Sequence, residues 1–104
     1  MTDNKTPWGF ELVWADAKNY YGKTLIIKEG EQTNFGFYKK TDKIIFVLQG
    51  AANLVLESRS KILTEGESYH LSPGIMYQLT ALKGDVTILE AGTSLANDFI
   101  EVKK

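Results

Sequence analysis

The chain of 104 residues contains no cysteine and only one histidine, His70. Without cysteine there is no disulfide framework, no thiol nucleophile and no thiolate site for zinc or an iron–sulfur cluster. One histidine also excludes any His-rich metal constellation. An excess of charge of one sign is missing too: 12 Lys and Arg against 13 Asp and Glu leave a net charge of −1. That balance removes the electrostatic case for nucleic acid or an anionic membrane surface, so neither is expected as a partner. The longest apolar run, Ile44-Ile45-Phe46-Val47-Leu48, is far too short to span a bilayer. The polar start, Met1-Thr2-Asp3-Asn4-Lys5, has no apolar segment of a secretory signal behind it, and a cytoplasmic location is the expectation.

What is present is an ordinary globular composition, 43% hydrophobic, 12% aromatic and 24% charged. It suits one domain over 1–104, with an N-terminal arm at 1–15 and the body from about 20 to 103. Short runs rich in β-branched and aromatic residues alternate with period two and read as strands. They cover Glu11–Ala15, Lys23–Glu29, Thr33–Lys39, Ile44–Gln49, Asn53–Glu57, Ser60–Leu63, Ser68–Ser72, Met76–Leu82, Asp85–Ala91 and Phe99–Lys103. Turn chemistry separates them, at Glu29-Gly30-Glu31, Gln49-Gly50, Glu65-Gly66, Ser72-Pro73-Gly74 and Lys83-Gly84. About ten residues per strand and turn predict an all-β sandwich or small barrel, with one short helical turn at Ser94–Asp98.

The order of the punctuation is more specific. Pro7-Trp8-Gly9-Phe10-Glu11 is followed by Phe46-Val47-Leu48-Gln49-Gly50, by Glu65-Gly66-Glu67-Ser68-Tyr69 and by Leu71-Ser72-Pro73-Gly74-Ile75-Met76-Tyr77. This series resembles the cupin superfamily, and within it the small domains related to type II phosphomannose isomerases. The resemblance runs from Pro7 to about Val102 and implies a single-domain jelly-roll β-barrel with its site inside one end. It also implies divalent-metal ligands, which this chain lacks. The glutamate position falls on Lys43 and the last histidine position on Tyr77. The preceding pair falls on Gly36 and Tyr38 in one spacing, or on Phe37 and Lys39 in the other. Divalent metals want imidazole, carboxylate or thiolate donors at about 2.0–2.3 Å, and a lysine ammonium repels a cation. No metal or other cofactor is therefore expected.

Tyr38, Lys43 and Tyr77, with Phe37 and Lys39 in the alternative register, are the expected ligand-binding residues. Phe35 or Phe37, Ile45, Met76 and Leu79 would wall the cavity. An inward ammonium favours an anionic ligand and phenols favour a hydroxyl-bearing one, as in a sugar phosphate or sugar nucleotide. The competing expectation is that Lys43 is neutralised by an acid such as Glu90 or Asp42. His70 lies on the strand face opposite Tyr69 and Leu71 and reads as a surface residue, with no paired Asp apparent in the sequence. Trp8 and Trp14 read as packing aromatics.

The leading expectation is a metal-free, non-catalytic binder of a small ligand, with no catalytic residue assigned. The alternatives are a sugar-phosphate isomerase or epimerase-like enzyme, in which Lys43 would act as base, and a homodimeric scaffold. A homodimer through the N-terminal arm and an edge strand follows from the edge-strand problem of a small sandwich.

Overall fold

The computed structural model describes residues 2–94 and 98–103, with side chains from residue 4 onward. Eleven strands and no helix are found among them. The strands are β1 (Thr2–Thr6), β2 (Gly9–Asp16), β3 (Tyr21–Ile27), β4 (Gly36–Tyr38), β5 (Lys43–Gln49), β6 (Ala52–Leu56), β7 (Ser60–Leu63), β8 (Ser68–Leu71), β9 (Tyr77–Ala81), β10 (Val86–Gly92) and β11 (Phe99–Glu101). A six-stranded sheet in the order β1-β2-β3-β10-β5-β8 faces a five-stranded sheet in the order β11-β4-β9-β6-β7. All these pairings are antiparallel.

Alternation decides what lies between the sheets. Leu25 and Ile27 on β3, Ile45 and Val47 on β5, and Val86 and Ile88 on β10 point inward from the larger sheet and are buried. Leu54 on β6, Leu63 on β7 and Leu79 on β9 meet them from the smaller one. Each such side chain taken fully from water stabilises the fold by roughly 1.5–3 kcal/mol, so this layer holds the sandwich together.

Nine of the ten expected strands match an observed one to within two residues at each end. The exception, Thr33–Lys39, shortens to Gly36–Tyr38, because Thr33 and Gln78 supply hydrogen bonds that replace a regular ladder. The Thr33 carbonyl accepts from Gln78 Nε2 at 2.7 Å, and its hydroxyl accepts from the Leu79 amide at 3.0 Å. At Gly36 a Cβ would lie 2.2 Å from the Ile100 carbonyl oxygen, so only glycine lets β11 close on β4.

One strand is missing from the sequence reading. The polar arm forms β1, folded back on β2 with Thr6 opposite Gly9. An edge strand that buries little needs no apolar alternation, so its sequence carries no strand signal. The helical turn expected at Ser94–Asp98 falls at 95–97 outside the described residues.

Candidate functional site

Strand phase places charge in the interior. Lys23 is two residues from Leu25, Glu90 two from Ile88, and Lys43 two from Ile45, so each shares the inward face of its strand. Pairing then brings them together, since Glu90 is the partner of Lys23 on one side and of Ile45 on the other. Lys43 retains 3% of its surface exposed and Glu90 2%.

Glu90 Oε2 is the hub. It accepts from Lys43 Nζ at 2.9 Å and from the Tyr21 hydroxyl at 2.5 Å, and it lies 3.9 Å from Lys23 Nζ. Lys23 Nζ also donates to Glu11 Oε2 at 3.2 Å. Lys43 Nζ donates to the Tyr77 hydroxyl at 3.1 Å and sits 3.4 Å from the centre of the Tyr38 ring, a cation–π contact. Two ammonium groups and two carboxylates thus form a chain of alternating charge, Glu11–Lys23–Glu90–Lys43, from the half-buried Glu11 to the fully enclosed Lys43.

Burial pushes the Glu90 carboxyl up, but Lys43, Lys23 and the Tyr21 hydroxyl outweigh it and hold the group below the usual glutamate value. Burial draws the Lys43 ammonium below the usual lysine value, against the pull of Glu90. The phenols of Tyr21, Tyr38 and Tyr77 are pushed up by burial and then by the Glu90 charge, so all three stay protonated at neutral pH.

Beside this cluster lies a cavity of about 160 Å³. Its apolar wall is Trp8, Leu25, Leu79, Tyr38 and Phe99, with Tyr38 and Phe99 in a tilted contact 5.0 Å between ring centres. Its polar groups come from Glu11, Lys23, Glu90, Thr33, Asn34 and Tyr77. Trp8 is fixed by packing on the core and by its carbonyl, which accepts from the Lys28 amide at 2.9 Å. The Tyr38 hydroxyl and the Asn34 side chain have no hydrogen-bond partner among the described residues and are free to meet a ligand.

Tyr38 and Tyr77 therefore face the cavity, as the sequence suggested. Lys43 lies behind them, neutralised by Glu90, which was one of the two acids considered for it. The alternative register is corrected: Phe37 is on the face of β4 away from Tyr38, opposite Ile100, and Lys39 is exposed beyond the strand. Neither lines the cavity. Trp8, read as packing alone, packs and also lines the cavity. Glu11 and Lys23 went unrecognised, although a charged residue in phase with Leu25 and Ile27 is a signal that the sequence does carry. His70 is on the outer face, as expected, but it does have an Asp partner: Nε2 lies 2.5 Å from Asp42 Oδ1, both exposed and outside the barrel.

No protein-family model matches the chain, and no curated protein matches it in sequence. Solved structures do match in shape. A RmlC-like cupin from Shewanella frigidimarina superposes with a TM-score of 0.81 at 11% identity, covering 93% of this chain and 86% of that one. The chain has the cupin fold. KdgF from Halomonas sp. shares it at a TM-score of 0.85 and 18% identity, over 94% of this chain and 92% of that one. The polyketide cyclase RemF from Streptomyces resistomycificus does so at 0.83 and 16%, over 100% of this chain and 78% of that one.

The donor set inside this cupin fold does not suit the divalent metal that the sequence resemblance implies. Gly36 has no side-chain donor, Tyr38 and Tyr77 are held protonated, and the Lys43 ammonium sits among them, bound to Glu90. Among the described residues no three His, Asp or Glu side chains converge as a metal group. Nor is any helix there long and apolar enough to cross a membrane.

Proposed function

We propose that this cupin-fold chain binds a small polyhydroxylated ligand, no larger than about a monosaccharide, in the cavity walled by Trp8, Tyr38 and Phe99, and does no chemistry on it. The observation that carries the reading is the balance of charge in the site. Lys23 and Lys43 are matched by Glu11 and Glu90 within 2.9–3.9 Å. A phosphate entering the cavity would meet two carboxylates along with the ammonium groups, so the anionic half of the sequence expectation is the weaker one. Aromatic walls suit the C–H faces of a sugar ring. Glu11, Lys23, Asn34 and the Tyr38 hydroxyl suit its hydroxyls.

Several features argue for binding without catalysis. Glu90 is held ionised and the phenols protonated, so neither is poised to exchange a proton near neutrality. The His70–Asp42 pair lies on the outer sheet face and cannot reach a ligand in the barrel. The sequence resemblance to type II phosphomannose isomerases points to the same sugar class of ligand. A volume of about 160 Å³ is below the roughly 300–1,000 Å³ of pockets for drug-sized ligands and fits a single ring.

The test is a thermal-shift and fluorescence panel of neutral monosaccharides, polyols, sugar phosphates and sugar nucleotides. The reading expects a neutral sugar or polyol to raise the melting temperature and to move the Trp8 emission in a Trp14→Phe background. Tighter binding of the phosphate than of its parent sugar would reverse the charge argument. Turnover of a bound sugar, abolished in Lys23→Met, would replace the binder with an isomerase or epimerase.

A further inference from the structure

Charge inside the barrel is balanced in amount but not in arrangement. The four groups alternate along one line, Glu11–Lys23–Glu90–Lys43, with contacts of 3.2, 3.9 and 2.9 Å. A line of alternating charges has a dipole, and here its two ends differ in access. The ammonium end is sealed: the Lys43 side chain is 2% exposed, closed off by the Tyr77 hydroxyl and the Tyr38 ring. The carboxylate end is open: the Glu11 side chain is 23% exposed and lines the cavity. The charged groups on the cavity wall are therefore Glu11 and Glu90 against Lys23 alone, because Lys43 stands behind that wall. An entering ligand meets the negative end of the line.

Glu11 also has bonding capacity left. Its Oε2 accepts from Lys23 at 3.2 Å, while Oε1 has no hydrogen-bond partner among the described residues. A carboxylate accepts at both oxygens, and its bond to a charged N–H donor is about twice as strong as a neutral one. Aromatic faces share the cavity with it: Trp8, three residues earlier in the chain, and Phe99 of β11. Rings next to a carboxylate hold a cationic group from two sides, by cation–π attraction and by an ion pair. Lys23 does not oppose this. Its side chain is only 10% exposed, and its charge faces the carboxylates on either side of it.

We infer that the ligand of this cavity is a basic sugar, a single ring carrying one ammonium group, with that group bound between Glu11 Oε1 and the Trp8 face. The inference rests on the sugar-binding reading above and adds to it the charge of the ligand. The ammonium becomes the next member of the alternating line, outside Glu11 and one carboxylate away from Lys23. The ring hydroxyls are left to Asn34, to the Tyr38 hydroxyl and to Lys23, which donates only one hydrogen bond within the protein. Size agrees, because exchanging a hydroxyl for an ammonium adds no heavy atom to a ring held in about 160 Å³. A neutral sugar fits the same space but gives Glu11 only an uncharged donor. A sugar phosphate brings like charge to the open end of the line.

Titration calorimetry at about pH 6.5, where the amine is protonated, tests the inference. The probes are D-glucose, D-mannose and D-galactose against their 2-, 3- and 6-amino-deoxy analogues. The expected result is an amino sugar bound at least about ten-fold more tightly than its parent, a charge-assisted bond against a neutral one. Glu11→Gln keeps the shape and removes the charge, so the ratio of the two affinities should fall to near one. Lys23→Met removes the competing ammonium and should raise the ratio, a change of opposite sign that does not depend on Glu11→Gln folding. In the wild type, about 0.5 M KCl should lower the ratio several-fold by screening the partly exposed pair. Parents and amino sugars bound equally, a ratio that survives Glu11→Gln or one that falls in Lys23→Met would overturn the inference and leave the sugar-binding reading standing. Binding of no sugar, charged or neutral, would remove both.

Discussion

Replacing Glu90 by Gln tests the central electrostatic claim. The carboxylate holds Lys43 at 2.9 Å and Lys23 at 3.9 Å, and all three side chains are at least nine-tenths buried. The amide keeps the shape and still accepts from the Tyr21 hydroxyl, but it leaves the Lys43 ammonium with only a phenol oxygen and a ring face. Breaking a buried pair from one side typically costs about 3–5 kcal/mol, because the remaining charge is stranded away from water. Domains of this size have about 5–15 kcal/mol in all, so Glu90→Gln should lose a large share of its stability. Lys43→Met in the same background removes the stranded charge, while Lys23 keeps Glu11 at 3.2 Å. The double variant is expected within about 1.5 kcal/mol of wild type, since apolar replacement of a buried pair is often near neutral. Urea denaturation of the four proteins of the cycle measures this directly. A single Glu90→Gln within 1 kcal/mol of wild type (roughly the error of such a comparison) would show that the pair is not the buried unit described. A double variant as unstable as the sum of the singles would show the same.

Other expectations follow from the same geometry. The Glu90 carboxyl is held below its usual value, so its contribution is complete above the ordinary glutamate pKa and is lost as pH falls through the depressed one. The melting temperature of wild type should therefore drop more steeply below about pH 4.5 than that of Glu90→Gln, and parallel slopes would remove Glu90 from the acid transition. Gly36→Ala forces a methyl against the Ile100 carbonyl and should cost about 1–3 kcal/mol in urea denaturation, loosening β11 and with it Phe99 in the cavity wall. Tyr38→Phe keeps the ring over Lys43 and removes the free hydroxyl, so stability should stay within about 1 kcal/mol while affinity for the best sugar of the panel falls several-fold. Trp8→Ala should abolish that binding, whereas Trp14→Ala, outside the barrel, should leave it unchanged in titration calorimetry.

Much of this molecule was legible in its residues. Period-two alternation with turns every ten residues determines an all-β chain, and the order of the Gly- and Pro-containing turns resembles a cupin. The identity of the residues at Lys43 and Tyr77 already removed the usual donors. Phase along single strands also placed His70 outside. β1 was illegible because its polar sequence buries no face, and its place is set only by pairing with β2.

The site itself was decided by tertiary structure. Tyr21 and Glu90 are 69 residues apart and Lys43 and Glu90 are 47 apart, and no local pattern states that they meet. Cross-strand register does, through β3, β10 and β5, and a slip of one residue would turn every charge outward. That register made Lys43 a neutralised element of the interior and left the cavity to Trp8, Tyr38, Glu11 and Lys23. The sequence alone fixes which side chains share a face within a strand; which strands lie side by side depends on contacts between residues far apart in the chain.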